Sequence, residues 1–207
     1  MKIEIIDNFL NYEDLKELNS VKFKEVENKS IKVYHNSIEN NFVKAECLSD
    51  NFVKKLHTNY HNKAVELLKK LCPQKLELYD YSEFHIIETG SHGEFPIHDD
   101  TPNKLLSGVV YLRPEHNFGT VFYSNKKGDN EHLVEWKLNR AVFFSRSDRE
   151  TWHSYRGDKK SNRIVLVYNL MTYRLKEVFK IEKKSFFYGM IRYKLNPYLY
   201  KLFKKTI

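Results

Sequence analysis

Phe84-His85-Ile86-Ile87-Glu88-Thr89-Gly90-Ser91-His92-Gly93-Glu94-Phe95-Pro96-Ile97-His98-Asp99-Asp100 is the stretch on which the reading of this chain turns. Residues 84–88 are aromatic and β-branched, as a strand requires. The glycines at 90 and 93 bracket a turn, and residues 95–100 run extended again. Side chains alternate across a strand, so His98 and Asp100 share one side while Asp99 faces the other. A histidine and a carboxylate on one side supply two of the three ligands of the facial triad that binds non-haem Fe(II) and leaves coordination positions open.

Outward from this stretch the pattern stays β. Leu76, Leu78 and Tyr81 are expected to open the strand region, and residues 107–112, 119–123, 133–136, 141–144 and 164–170 continue it. Short strands separated by turns suit an all-β sandwich or jelly roll with flanking helices. Upstream, residues 2–6 read as a strand, and Asn11 as the N-cap of a helix with Glu13 and Asp14 in its first turn and Leu15 and Leu18 on one face. Residues 21–45 read as extended. Phe52, Val53, Leu56, Ala64, Leu67, Leu68 and Leu71 recur at helical spacing, with two helices the expected arrangement and a stop at Pro73. Residues 1–75 are thus expected to pack on a jelly-roll core at 76–172, and residues 173–207 to form a helical extension interrupted by Pro197, all within a single domain.

The third ligand of a triad must come from elsewhere, and Trp152-His153 offers it. Ten residues on, Arg163 heads the run Ile164-Val165-Leu166-Val167. That run reads as a buried strand, where an unpaired guanidinium is costly. A fixed anion explains Arg163 better than solvent does, and a small dicarboxylate gripped through a two-pronged contact would supply it. Taken singly, each of these residues is an ordinary polar side chain near a turn; their conjunction is what points to a metal site.

Composition narrows the class. The 207 residues contain 7 Gly, 5 Pro and 14% aromatics, which disfavours a disordered chain. Cys47 and Cys72 do not make a disulfide framework, acids arrive too early in the N-terminus for a secretory signal, and no apolar stretch approaches a membrane span. The expected setting is a reducing cytoplasm, with peripheral attachment to a membrane as a variant. Residues 174–207 hold ten Lys/Arg against Glu177 and Glu182, which accounts for the entire net charge of +8 and leaves the remainder neutral. The basicity is therefore no argument that the β region binds nucleic acid.

In order and spacing, His98-Asp99-Asp100, Val109-Val110-Tyr111-Leu112, Gly119-Thr120, Phe143-Phe144, His153 and Arg163 resemble the Fe(II)/2-oxoglutarate-dependent dioxygenases, in their prolyl-4-hydroxylase-like branch. The likeness covers residues 76–172, with a further echo in residues 3–18. It implies a double-stranded β-helix of the cupin-like jelly-roll kind. It implies Fe(II) held by His98, Asp100 and His153, and 2-oxoglutarate and O2 as co-substrates. The distal carboxylate of 2-oxoglutarate would sit on Arg163, helped by the Tyr111 hydroxyl. The implied outcome is hydroxylation with release of succinate and CO2. The primary substrate would be a peptide or protein side chain, or else a small metabolite or glycan precursor. Halogenating members lack the carboxylate ligand, so Asp100 implies hydroxylation. Many members carry a tyrosine on the strand before the His-x-Asp motif; Ile87 and Glu88 fall there, and the expectation is that the role passes to His85 or Tyr81 or is absent. The nucleic-acid demethylase branch has a second arginine six residues after the first; here that position is Asn169, and nucleic acid is not an expected partner.

Two other classes compete. A cupin-like metalloenzyme that does not use 2-oxoglutarate would keep the triad but leave Arg163 without purpose. A non-catalytic β-sandwich would bind a glycan or a membrane surface through the tail. That tail interleaves Phe186, Phe187, Tyr188, Ile191, Tyr193, Leu195, Tyr198, Leu199, Tyr200, Leu202 and Phe203 with basic residues. The expected arrangement is a helical pair whose apolar face covers the jelly roll, with interfacial, polyanion and dimer contacts as alternatives.

Overall fold

The computed structural model describes residues 2–23, 26–147 and 150–203. Among the described residues, twelve strands fall into two antiparallel sheets. They are β1 (Ile3–Ile6), β2 (Ile31–Tyr34), β3 (Asn36–Glu39), β4 (Phe42–Ala45), β5 (Tyr81–Thr89), β6 (Glu94–His98), β7 (Lys104–Arg113), β8 (Thr120–Tyr123), β9 (His132–Val134), β10 (Ala141–Phe144), β11 (Trp152–Arg156) and β12 (Arg163–Met171). The eight-stranded sheet runs β1-β10-β7-β12-β5-β3-β4, with β2 also paired to β5. The smaller one runs β6-β11-β8-β9. Two facing antiparallel sheets give the double-stranded β-helix expected from the sequence.

Strand β12 shows why the fold closes as it does. All its residues are buried, and they divide by parity. Ile164, Leu166, Tyr168 and Leu170 join the larger core, under helices α1 (Tyr12–Ser20) and α2 (Asp50–Leu71), whereas Val165 and Val167 point into the space between the sheets. A strand covered on both faces loses the polar alternation of a surface strand, which is why this segment reads as one apolar run. Helix α2 is the cover. Ser49 caps it by accepting the Phe52 amide at 3.2 Å, and Phe52, Val53, Leu56, Tyr60, Ala64, Leu67, Leu68 and Leu71 form its buried stripe.

Four expectations need correction. The segment 51–71 is one helix, not two, because its apolar stripe is unbroken through Tyr60. Residues 73–78 are not strand but a 3₁₀ turn, in which Lys75 is buried by an ion pair with Glu182 at 3.0 Å; strand begins at Tyr81. The segment before residue 75 does more than pack on the core, since β1 to β4 extend the large sheet itself. In the tail, α3 (Leu175–Ile181) buries Val178 and Phe179, but α4 (Phe186–Phe203) runs through Pro197 and leaves much of its apolar surface exposed. Lys204 and Lys205 lie outside the described residues, as do the side chains of Leu199, Tyr200, Leu202 and Phe203.

Leu56 is fully buried between α2 and the sheet, so Leu56→Ala should cost about 2–5 kcal/mol of unfolding free energy in urea denaturation. A loss below about 1 kcal/mol would mean that α2 rests on the sheet far more loosely than described.

Candidate metal centre

Strands β6 and β11 pair antiparallel with His98 directly opposite His153, and their rings lie 4.3 Å apart. Asp100 follows two residues after the end of β6. One potential ligand atom from each of His98, Asp100 and His153 lies within 4.8 Å of the others. Both imidazoles are oriented in the same way: Nδ1 of His98 lies 2.7 Å from the Pro96 carbonyl, and Nδ1 of His153 lies 2.9 Å from that of Thr151. A carbonyl can only accept, so each Nδ1 carries the proton and each Nε2 keeps its lone pair for a metal.

The protonation states suit ligation. Burial, and then the neighbouring His98, push His153 down to about 3, so that it is neutral near pH 7. Burial would raise the Asp100 carboxyl, but Lys104, His153 and Ser107 outweigh it and hold the group below the usual carboxylate range. Lys104 Nζ stands 2.7 Å from Asp100 Oδ1, and Ser107 Oγ donates to Oδ2 at 2.5 Å. A carboxylate offers about four lone-pair sites, so these two bonds fix its orientation and leave capacity for a metal. Asp99 turns away, as alternation requires, and accepts from Arg146 Nε at 3.2 Å. Two imidazoles presenting Nε2 and one carboxylate are the donor set that suits non-haem Fe(II).

Arg163 opens β12 and lines the same cavity, about 140 Å³, as His98, Asp100 and His153. It is 4% exposed, and no carboxylate lies within ion-pair distance among the described residues. Its Nη2 donates to Thr120 Oγ1 at 3.3 Å, its Nε has no partner, and burial lowers its pKa. The guanidinium carbon sits 3.9 Å from the centre of the Tyr155 ring, with Tyr111 and Trp136 at 5.5 and 5.7 Å. Aromatic faces offset part of the desolvation cost but leave the in-plane N–H donors unanswered. Such a site is built for an anion. Gly119 keeps its prop in place, because a Cβ there would collide with the Val134 carbonyl and displace Thr120.

The other sequence candidates fall elsewhere. Tyr111 is fully buried behind the cavity, not on its surface. Its hydroxyl accepts the Thr120 amide at 3.0 Å and lies 3.0 Å from Thr120 Oγ1 and 3.3 Å from the Val134 carbonyl, so it supports Arg163 through Thr120 rather than reaching the cavity. His85 does not line the cavity either. Its Nε2 is 3.6 Å from Glu83, its ring meets His35 edge-on at 4.6 Å, and burial pushes it down to about 3. Tyr81 stacks on Tyr173, and Ile87 gives the wall an apolar surface instead. The sequence reading missed Lys104, Ser107 and Tyr155. Only Tyr155 carried a signal, lying two residues after His153 on one strand.

Asp100→Ala should abolish tight binding of Fe(II), or of Co(II) as a redox-stable probe, while Asp99→Ala retains it; isothermal titration of both variants decides between the two aspartates.

No protein-family model matches the chain, and no curated protein matches it in sequence. Solved structures do. A prolyl-4-hydroxylase from Pseudomonas putida superposes with TM-score 0.55 at 14% identity, over 82% of this chain and 92% of that one. A 2OG-Fe(II) oxygenase family oxidoreductase from Burkholderia pseudomallei gives TM-score 0.56 at 12% identity, over 82% and 84%. A Trichoplax adhaerens prolyl hydroxylase, solved with a hypoxia inducible factor peptide fragment, gives 0.55 at 14%, over 84% and 85%. At these identities the likeness is one of architecture: the chain has the double-stranded β-helix fold seen in these 2-oxoglutarate–Fe(II) oxygenases, with a His98–Asp100–His153 cluster positioned to bind metal.

Proposed function

We propose that the protein is an Fe(II)- and 2-oxoglutarate-dependent oxygenase that hydroxylates its primary substrate. The observation that carries this reading is Arg163, a buried guanidinium with no carboxylate partner among the described residues, sharing one cavity with two histidines and a carboxylate. A cupin-like enzyme without 2-oxoglutarate accounts for the triad and not for Arg163. A binding module accounts for neither.

Fe(II), when bound, would supply the redox chemistry by which 2-oxoglutarate, dioxygen and a substrate C–H group become succinate, CO2 and the hydroxylated substrate. The chain's own residues do the rest. His98 and His153 present Nε2, their tautomers fixed by the Pro96 and Thr151 carbonyls. Asp100 completes the ligand set with its orientation held by Ser107. Arg163 receives the distal carboxylate, steadied by Thr120 and by the Tyr155 ring. Ile87, Val109, Phe144, Val165 and Val167 line the cavity between these charges with apolar surface, and a low-dielectric lining strengthens each of the electrostatic contacts.

A second chamber of about 310 Å³ shares Phe95, His98 and Asp100 with the first and is lined as well by Phe179, Tyr188 and Tyr193. We assign it to the primary substrate, because it meets the metal ligands without crossing the space that Arg163 commands. The likeness to prolyl hydroxylases, one of them solved with a peptide, makes a peptide or protein side chain the first class to test and small metabolites the second.

Succinate release from 2-oxoglutarate should require both Fe(II) and O2 and should disappear in His153→Ala. Arg163→Leu should raise the 2-oxoglutarate dissociation constant roughly ten- to a hundredfold while leaving metal affinity unchanged. Unaltered 2-oxoglutarate affinity in that variant would sink the assignment.

A further inference from the structure

Helix α4 is apolar around most of its circumference, and its two faces differ in what covers them. One is turned to the protein: Phe186 meets the Phe179 ring at 6.1 Å, and Gly189 lies so close to Phe179 that a Cβ would collide with that ring. The other carries Phe187, Tyr188, Ile191, Leu195 and Tyr198, all exposed, with Phe187 at 76% and Tyr198 at 69%. At about 100° per residue these five side chains fall within a stripe roughly 100° wide, the width at which a surface helix normally buries its apolar face. Here nothing among the described residues covers it.

Charge says what does. No acidic residue follows Glu182, while Lys183, Lys184, Arg192, Lys194, Lys201, Lys204 and Lys205 do. On the helical projection Arg192 falls on one border of the stripe and Lys194 on the other. Basic side chains bordering an exposed aromatic and aliphatic stripe make an interfacial helix: the stripe enters the acyl boundary and the cations stay at the headgroups. No helix among the described residues is long and apolar enough to cross a bilayer, so the contact is with the surface. A second copy of the chain is a poor occupant, since apposed stripes bring like charges together. A nucleic acid is a poorer one, because Ile191 and Leu195 lie among the three aromatics of the stripe and offer bases neither stacking nor hydrogen bonds.

We propose that the exposed face of α4 seats the protein on an anionic lipid surface. The same helix supplies Tyr188, Gly189 and Tyr193 to the chamber that opens on His98 and Asp100, so docking would bring that chamber beside the bilayer.

The test is co-sedimentation of the full chain with phosphatidylcholine vesicles, with and without phosphatidylglycerol, at low and high salt. Binding is expected with the anionic vesicles and should weaken with salt. It should fall at least about tenfold in Lys183→Glu/Lys194→Glu and in Phe187→Ser/Leu195→Ser. All four positions are exposed, so thermal melts should match the wild type. Absence of binding to either vesicle, or binding that both double variants leave intact, overturns the proposal. So does a wild-type dimer that Phe187→Ser/Leu195→Ser dissolves, or retention on poly(U) without retention on vesicles.

Discussion

The pairing of His98 with His153 across β6 and β11 is the constraint from which the site follows. Side chains alternate with a period of two, so a slip of β6 by one residue would turn His98 and Asp100 together to the opposite face, away from His153. The register is held from both sides: Trp152, His153 and Ser154 also pair with Tyr123, Phe122 and Val121 of β8. Carbonyls two residues upstream of each histidine then fix the rings. Local backbone, rather than a distant second shell, sets the tautomers.

Around this pair the polar groups divide by task. Asp100 points inward with Lys104 and Ser107, while Asp99 points outward into a buried chain of charges in which Arg146 pairs with both Asp99 and Glu182, and Lys75 pairs with Glu182. That chain ties the loop after β6 to the end of α3 and to the 3₁₀ turn. Buried ion pairs are weak evidence of net stability, but a broken one is costly, which makes this one a register pin for the loop that bears the metal ligand. The C-terminal helices thereby become part of the site, and they also wall the second chamber.

Much of this was legible in the sequence for identifiable reasons. β12 was visible because burial on both faces removes polar interruptions, and Asp100 was distinguishable from Asp99 because alternation is geometric. β11 was not recognised as a strand, since Trp-His-Ser-Tyr-Arg spends its inward positions on ligand and cation support instead of on aliphatics. The 3₁₀ turn was hidden because Lys75 looks like a surface residue until Glu182, far along the chain, buries it. The Tyr111 hydroxyl could not be assigned from order alone, because its partners Thr120 and Val134 are set by tertiary packing. The expectation that the tail's aromatics pack inward rested on what such residues usually do, and α4 meets it on one face only.

The central claim is that one cavity holds a metal through His98, Asp100 and His153 and a dicarboxylate through Arg163. Anaerobic titration of 2-oxoglutarate into the Fe(II)-loaded protein tests it directly. A weak visible charge-transfer band should grow saturably in the wild type and be absent from His153→Ala. Fully loaded iron with no band at any concentration of 2-oxoglutarate would contradict it.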